Sequence, residues 1–160
     1  MPRFKYASLR PLELRLLELH PGLAGDALDG TITHKYFSVE GDEIPQFEAL
    51  SYHWGDQSEA VSISLSKCQS PEDPSSDVES GSLDIGRNLA LALQALRRQD
   101  KRRVLWCDSI CINQRDLPER AAQVQRMKDI YRYAKSVVVW LGPEASWSTM
   151  AMETVRWAGE

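Results

Sequence analysis

The order of apolar and polar positions divides the chain into a strand-rich first half and a second half where strands alternate with helices. Leu12 to Leu19 (L-E-L-R-L-L-E-L) alternates apolar and charged residues, slips at Leu16-Leu17 as a bulge would, and stops at His20-Pro21-Gly22, which predicts a half-buried strand. Thr31 to Val39 is rich in β-branched and aromatic residues and predicts an antiparallel partner, with Gly41-Asp42 as the next turn. Phe47 to Tyr52 gives a third strand ending in His53-Trp54-Gly55-Asp56, and Val61 to Leu65 alternates as a short fourth. Cys68 to Ser82 carries two prolines, five serines and four acids with almost nothing to bury, so residues 68–82 are expected to form a mobile surface loop. Leu83 to Ile85 predicts a brief strand. Asn88 then caps a helix whose stripe Leu89, Ala92, Leu93 and Leu96 packs inward while Gln94, Arg97 and Arg98 face water.

From Val104 the pattern changes. Val104 to Cys107 and Val137 to Leu141 are apolar runs without alternation, as in strands covered on both faces. Between them Asp116-Leu117-Pro118-Glu119 supplies an N-cap acid, a proline in the first turn and an acid three residues on. That start predicts a helix burying Val124, Met127, Ile130, Tyr131 and Ala134, with Arg120, Arg126, Lys128, Asp129, Arg132 and Lys135 elsewhere. Strand, loop, helix and strand make a βαβ unit, whose crossover is right-handed when the strands are parallel. Gly142-Pro143 ends it, and Ser146 or Ser148 caps a last helix running to about Ala158. The expected architecture is a single α/β domain over residues 1–160, with a mostly parallel sheet, helices on both faces and an N-terminal β extension over residues 1–46. Val138, Trp140, Leu105, Trp106, Val124, Met127, Ile130, Leu93 and Leu96 should be largely buried.

Composition changes this picture little: 42% apolar and 26% charged residues suit a globular domain. The net charge of −4 gives no global attraction to nucleic acid. The one basic concentration, Arg97, Arg98, Lys101, Arg102 and Arg103, reads as the solvated end of a helix, with a phosphate or membrane patch as the other reading. No apolar stretch reaches the length of a membrane span and Met1-Pro-Arg-Phe lacks a signal-peptide core, so a cytoplasmic protein is expected. Cys68, Cys107 and Cys111 are too few for a disulfide framework, and Cys107 reads as core filler rather than a zinc ligand.

The candidate chemistry lies at strand ends. Leu50 to Gly55, with Ser51, Tyr52, His53 and Trp54, combines a hydroxyl, an imidazole and an indole that can stack on and hydrogen-bond a nucleotide-like ligand or lock a tight turn. Asp108, Asn113 and Gln114 follow the next buried strand, where open α/β sheets place ligand crevices; they can orient a ligand or bond the loop's own backbone. The two groups meet only if their strands run parallel. Gly86-Arg87-Asn88-Leu89 is a helix start that can receive an anion or simply be capped, and no P-loop or G-x-G-x-x-G is present. Cys111, His53 and Asp108 supply the residue types of a thiol hydrolase without any spacing that joins them.

F-E-A-L-S-Y-H-W-G at 47–55, G-R-N-L-A-L-A-L-Q-A-L-R at 86–97, L-W-C-D-S-I-C-I-N-Q at 105–114 and E-R-A-A-Q-V-Q-R-M-K-D-I-Y at 119–131 carry a resemblance. From about Phe4 to its C-terminus the chain resembles the fungal heterokaryon incompatibility (HET) domain, whose signature blocks appear here in order. The resemblance implies a trigger of regulated cell death after non-self recognition, switched on by homo-oligomerisation under attached sensor modules or recognition and scaffold proteins. It also implies a fold similar to the Toll/interleukin receptor (TIR) domain, and a chain truncated at its C-terminus. Many TIR domains cleave the nicotinamide glycosidic bond of NAD with a glutamate on the helix after the third strand of the sheet. With Phe47 to Tyr52, Val104 to Cys107 and Val137 to Leu141 as the first three strands, that residue is Glu153, with Glu144 as the alternative nearer the strand. Trp147 would stack on nicotinamide, and NAD would be a substrate, with no cofactor bound tightly. The other implied function is a non-catalytic adaptor that recruits further death effectors.

Overall fold

The leucines of Glu13–Leu19 form β1, and Leu14, Leu16, Leu17 and Leu19 are all buried. A strand buried on both faces belongs in the middle of a sheet, and β1 lies there, flanked by β2 (Asp29–Tyr36) and β6 (Arg103–Trp106). Its pairing with β2 is unbroken from Glu13 opposite Tyr36 to Leu19 opposite Gly30, so the double leucine marks two-sided burial and not the expected bulge. The computed structural model describes residues 1–68 and 79–145. The remaining elements are β3 (Glu48–Tyr52), β4 (Ala60–Lys67), β5 (Ser80–Gly86), α1 (Arg87–Leu96), α2 (Asp108–Cys111), α3 (Leu117–Tyr133) and β7 (Ser136–Trp140). One sheet holds all seven strands in the order β5-β4-β2-β1-β6-β3-β7.

This corrects the expectation of a mostly parallel sheet with helices on both faces and a separate N-terminal β extension. The sheet is mixed and mostly antiparallel: β1 with β2 and β4 with β5 each pair over seven residues and β1 with β6 over three. The parallel ladders β2–β4, β3–β6 and β3–β7 run for four, two and five. The cause is connection length. Consecutive β1 and β2 are joined without a helix, which favours antiparallel return, whereas among the described residues the helical crossover between parallel strands is the β6–α3–β7 passage. Among the described residues the three helices, of 10, 4 and 17 residues, do not layer both faces of so wide a sheet. The first 46 residues supply β1 and β2, at the centre of the same sheet.

A second correction concerns β7. It forms an edge of the sheet, with Val137 and Val139 exposed and Val138 and Trp140 half-buried, so its apolar run does not mark a doubly covered strand. Leu105, Trp106, Leu93 and Ile130 are buried as expected, and Leu96 and Met127 pack against the core. Val124 is exposed, because α3 turns a different stripe inward: Glu119, Gln123, Arg126 and Met127, then Ile130. Polar groups set that rotation. Gln123 Nε2 and Arg126 Nη1 donate to the Glu13 carbonyl, and Arg126 Nη2 donates to the carbonyls of Leu12 and Phe37. Residues 80–82, expected as loop, begin β5, and Gly81 is buried under Phe4, whose backbone would lie within 2.6 Å of an added Cβ.

The basic run is solvated as expected at Arg98, Lys101 and Arg102, but structural at Arg97 and Arg103. Arg97, with its side chain almost buried, donates to the carbonyls of His20, Pro21, Asp26 and Ala27 and to the Asp29 carboxylate. Arg103 forms a forked pair with Glu48 at 2.6 and 3.1 Å, and Arg102 pairs with Glu18. Among the described residues no helix is long and apolar enough to cross a membrane.

Candidate functional site

Strands β6, β3 and β7 lie side by side and parallel, with β3 between the other two. From β3 the chain passes through β4, β5 and α1 to β6 on one side of β3, and then crosses through α3 to β7 on the other. In open α/β sheets such a reversal of strand order opens a crevice beyond the carboxyl ends of the strands. A crevice of about 490 Å³ is found there, lined by Ser51, Tyr52, His53 and Gly55 after β3, by Val139, Trp140, Leu141 and Gly142 at the end of β7, and by Asn88 of α1. Gly55 (φ +66°) and Gly142 (φ +108°) both occupy the left-handed region, which a side-chain-bearing residue enters at a cost.

Asn88 holds the two lips together. The N-cap of α1 is Gly86, so Asn88 sits in the first turn with its side chain free of capping, contrary to expectation. Its Nδ2 donates to the His53 carbonyl at 2.5 Å and its Oδ1 accepts from Trp140 Nε1 at 3.0 Å. One amide thus uses both ends to fix the spacing between the β3 and β7 loops.

Beside the crevice the parallel pairing of β3 and β6 brings the two expected groups into contact. Trp54 Nε1 donates to Asp108 Oδ2 at 3.0 Å, and the Tyr52 hydroxyl donates to Ser109 Oγ at 2.6 Å. Burial, followed by the nearby Cys107 and Asp108, pushes the Tyr52 phenol far above its ordinary value, so it remains a proton donor at neutral pH. Ser51 lines the crevice directly. Asn113 and Gln114 turn to the loop instead: Asn113 Oδ1 accepts from the Arg115 N–H, and Gln114 Nε2 donates to the Asp108 carbonyl. Of the carboxylates expected to act on a glycosidic bond, Glu144 is exposed two residues beyond the Gly142 lip, while Glu153 and Trp147 lie outside the described residues.

The thiol-hydrolase arrangement is not assembled. Cys111 is buried with its Sγ directed to the Leu105 carbonyl, Asp108 is held by Trp54, and His53 is exposed. The side-chain hydrogen bond with Cys111, then burial, holds the Cys107 thiol well above its usual range, so it is not a thiolate nucleophile.

The loop bearing Asp108 is anchored by a pair that the sequence reading did not find. Arg15 of β1 is fully buried and grips Glu119 through Nη1 at 2.6 Å and Nη2 at 2.9 Å. Its Nη groups also donate to the carbonyls of Ala7 and Cys111, and the Tyr6 hydroxyl donates to the Ile110 carbonyl. Asp116 caps α3 as expected, accepting from the Glu119 N–H, but the Glu119 carboxylate serves Arg15 and the Asn113 N–H rather than closing a capping box. The available signal was an arginine among the leucines of β1, which two-sided burial forces to find an acid.

Comparison with known proteins adds a family. The family model described as "Heterokaryon incompatibility protein (HET)" matches residues 47–160, a span that includes β3, β6, β7 and the crevice. A curated relative, "Heterokaryon incompatibility protein 6, OR allele" of Neurospora crassa, is 33% identical over 156 residues. The match takes in 92% of this chain and 21% of the relative, so the chain spans about a fifth of that protein's length. No solved structure matches the chain.

Proposed function

The chain belongs to the heterokaryon incompatibility (HET) family, and from that premise we propose that it is an effector domain which triggers regulated cell death on non-self recognition. The observation that carries the reading to a site is the crevice at the β3/β7 reversal, where Asn88 fixes the lips and Tyr52 and Trp54 stand beside Asp108. A concave site with an apolar indole and a few oriented polar groups suits a nucleotide-like ligand. In this reading NAD is the substrate, cleaved at the nicotinamide bond with a carboxylate from the segment after β7, Glu153 or Glu144, steadying the developing oxocarbenium ion. Clustering of copies by attached sensors or scaffold proteins switches the activity on.

The test is nicotinamide release from NAD by protein held at high local concentration on an oligomeric fusion. Release lost in Glu153→Ala assigns the carboxylate to Glu153, and release lost only in Glu144→Ala assigns it to Glu144. Release that survives both substitutions together removes the catalytic assignment.

A second reading, an adaptor that recruits another effector, is favoured by one observation. Among the described residues β7 is an edge strand that exposes Val137 and Val139, and an unpaired apolar edge is a surface on which another chain can add a strand. Absence of nicotinamide release together with killing that requires clustering selects this reading.

A further inference from the structure

A larger cavity, about 580 Å³, lies away from the crevice and shares no lining residue with it. The N-terminal arm forms one wall with Phe4, Tyr6, Ala7, Ser8 and Arg10, and β1 and β2 form the floor with Glu13, Arg15, Ile32 and His34. Arg15 and His34 are directly opposed in the β1–β2 ladder, so their side chains share a face of the sheet. Phe4 and Tyr6 meet edge to face at 5.2 Å between ring centres and, with Ile32, give the cavity an apolar side.

Its polar side has binding capacity left over. Arg15, although buried and paired with Glu119, leaves its Nε–H without an acceptor. His34 contacts Glu13 through Nδ1 at 3.4 Å, and its Nε2 has no partner among the described residues. The Arg10 guanidinium has no acid partner there either, only its backbone N–H being used, by Glu13. A buried donor left unmet costs about 1–3 kcal/mol. The Arg15 donor is sealed beneath the floor, its side chain having no exposed surface, so the groups that reach the cavity are the unused imidazole nitrogen of His34 and the Arg10 and Lys35 cations, around a volume large enough for a small molecule. We propose that this cavity is a second ligand site that takes a small aromatic carboxylate, its ring against Phe4, Tyr6 and Ile32 and its carboxylate toward Arg10 and His34.

The probe is benzoate, titrated into the isotope-labelled protein and followed by amide and arginine Nε–H resonances, with benzyl alcohol as the uncharged control. Saturable shifts at Tyr6, Ala7, Ile32, His34 and the Arg10 Nε–H are expected at millimolar benzoate, with much weaker response to benzyl alcohol. Arg10→Ala should weaken binding about tenfold, the worth of one charge-assisted hydrogen bond. Ser8→Trp, an exposed position on the rim, should block binding while the rest of the spectrum stays that of the folded protein. Equal binding of the alcohol, shifts confined to other residues, no saturation at millimolar benzoate, or affinity unchanged in both variants would overturn the assignment.

Discussion

Replacing Glu119 with alanine isolates the contact that ties the site-bearing loop to the centre of the sheet. The change leaves the Arg15 guanidinium buried, its side chain having no exposed surface, without the two short contacts at 2.6 and 2.9 Å. Removing one partner of a buried ion pair typically costs about 3–5 kcal/mol, because the other charge stays in a medium that solvates it poorly. Arg15 keeps the carbonyls of Ala7 and Cys111, which offset part of the loss, but the Asn113 N–H also loses its acceptor. The expected destabilisation is therefore about 3–4 kcal/mol, a large fraction of the ~5–15 kcal/mol available to a domain. Urea unfolding followed by tryptophan fluorescence measures it, since Trp106 is buried in the core. Arg15→Met together with Glu119→Leu should cost less than either single change, because no buried charge is then left alone. A Glu119→Ala cost below about 1 kcal/mol, or a double variant as damaged as the sum of the singles, would refute the reasoning.

Three further outcomes follow from local geometry. Burial, then Arg15, lowers the His34 pKa below its unfolded value near 6.5, so the unfolded state binds the extra proton first. That contribution is present at neutral pH and lost as pH falls below about 6.5, and His34→Gln should flatten the fall in urea midpoint between pH 7.5 and 5.5. The hydrogen bond from Arg103 holds the Glu48 carboxyl below its ordinary range, so its stabilisation exists above pH ~4.5 and disappears as the folded pKa is passed on acidification. Glu48→Gln should lower stability at pH 7 by about 1–2 kcal/mol and narrow the gap to wild type at pH 3, as read by thermal melts. Gly55→Ala meets no close neighbour, with His53 Nδ1 at 3.8 Å, so its cost should be the conformational one alone, about 1–2 kcal/mol, and a neutral result would deny the positive φ at this lip of the crevice.

The local elements were legible because their signals are local. The Asp116 cap, the βαβ order around α3 and the polar ends of β3 and β6 are set by residues within a few positions of one another, and the parallel alignment of β6, β3 and β7 follows from the helical crossover. What failed depends on distant partners. Val137 to Trp140 is as apolar as a buried strand, yet whether another strand lies beyond it is decided by the whole sheet order. Glu13 and Glu18 give β1 an alternating look although Leu14 to Leu17 are all buried. Arg97, Arg103 and Arg126 read as solvated charges, but their acceptors are carbonyls and acids far off in sequence. The N-cap of α1 lies two residues before Asn88, at Gly86, which frees the Asn88 amide to bridge the crevice.

The most direct test of the central claim, a clustering-triggered killing activity that works through the β3/β7 crevice, scores toxicity in fungal cells of this domain fused to an inducible oligomeriser. Asn88→Ala is compared with wild type after circular dichroism has shown both folded, since it removes the bridge between the His53 carbonyl and Trp140 Nε1 at a cost of about 1–3 kcal/mol. The account predicts death only after clustering, and its loss in Asn88→Ala. Equal toxicity of dispersed and clustered protein, or undiminished killing by a folded Asn88→Ala domain, would contradict it.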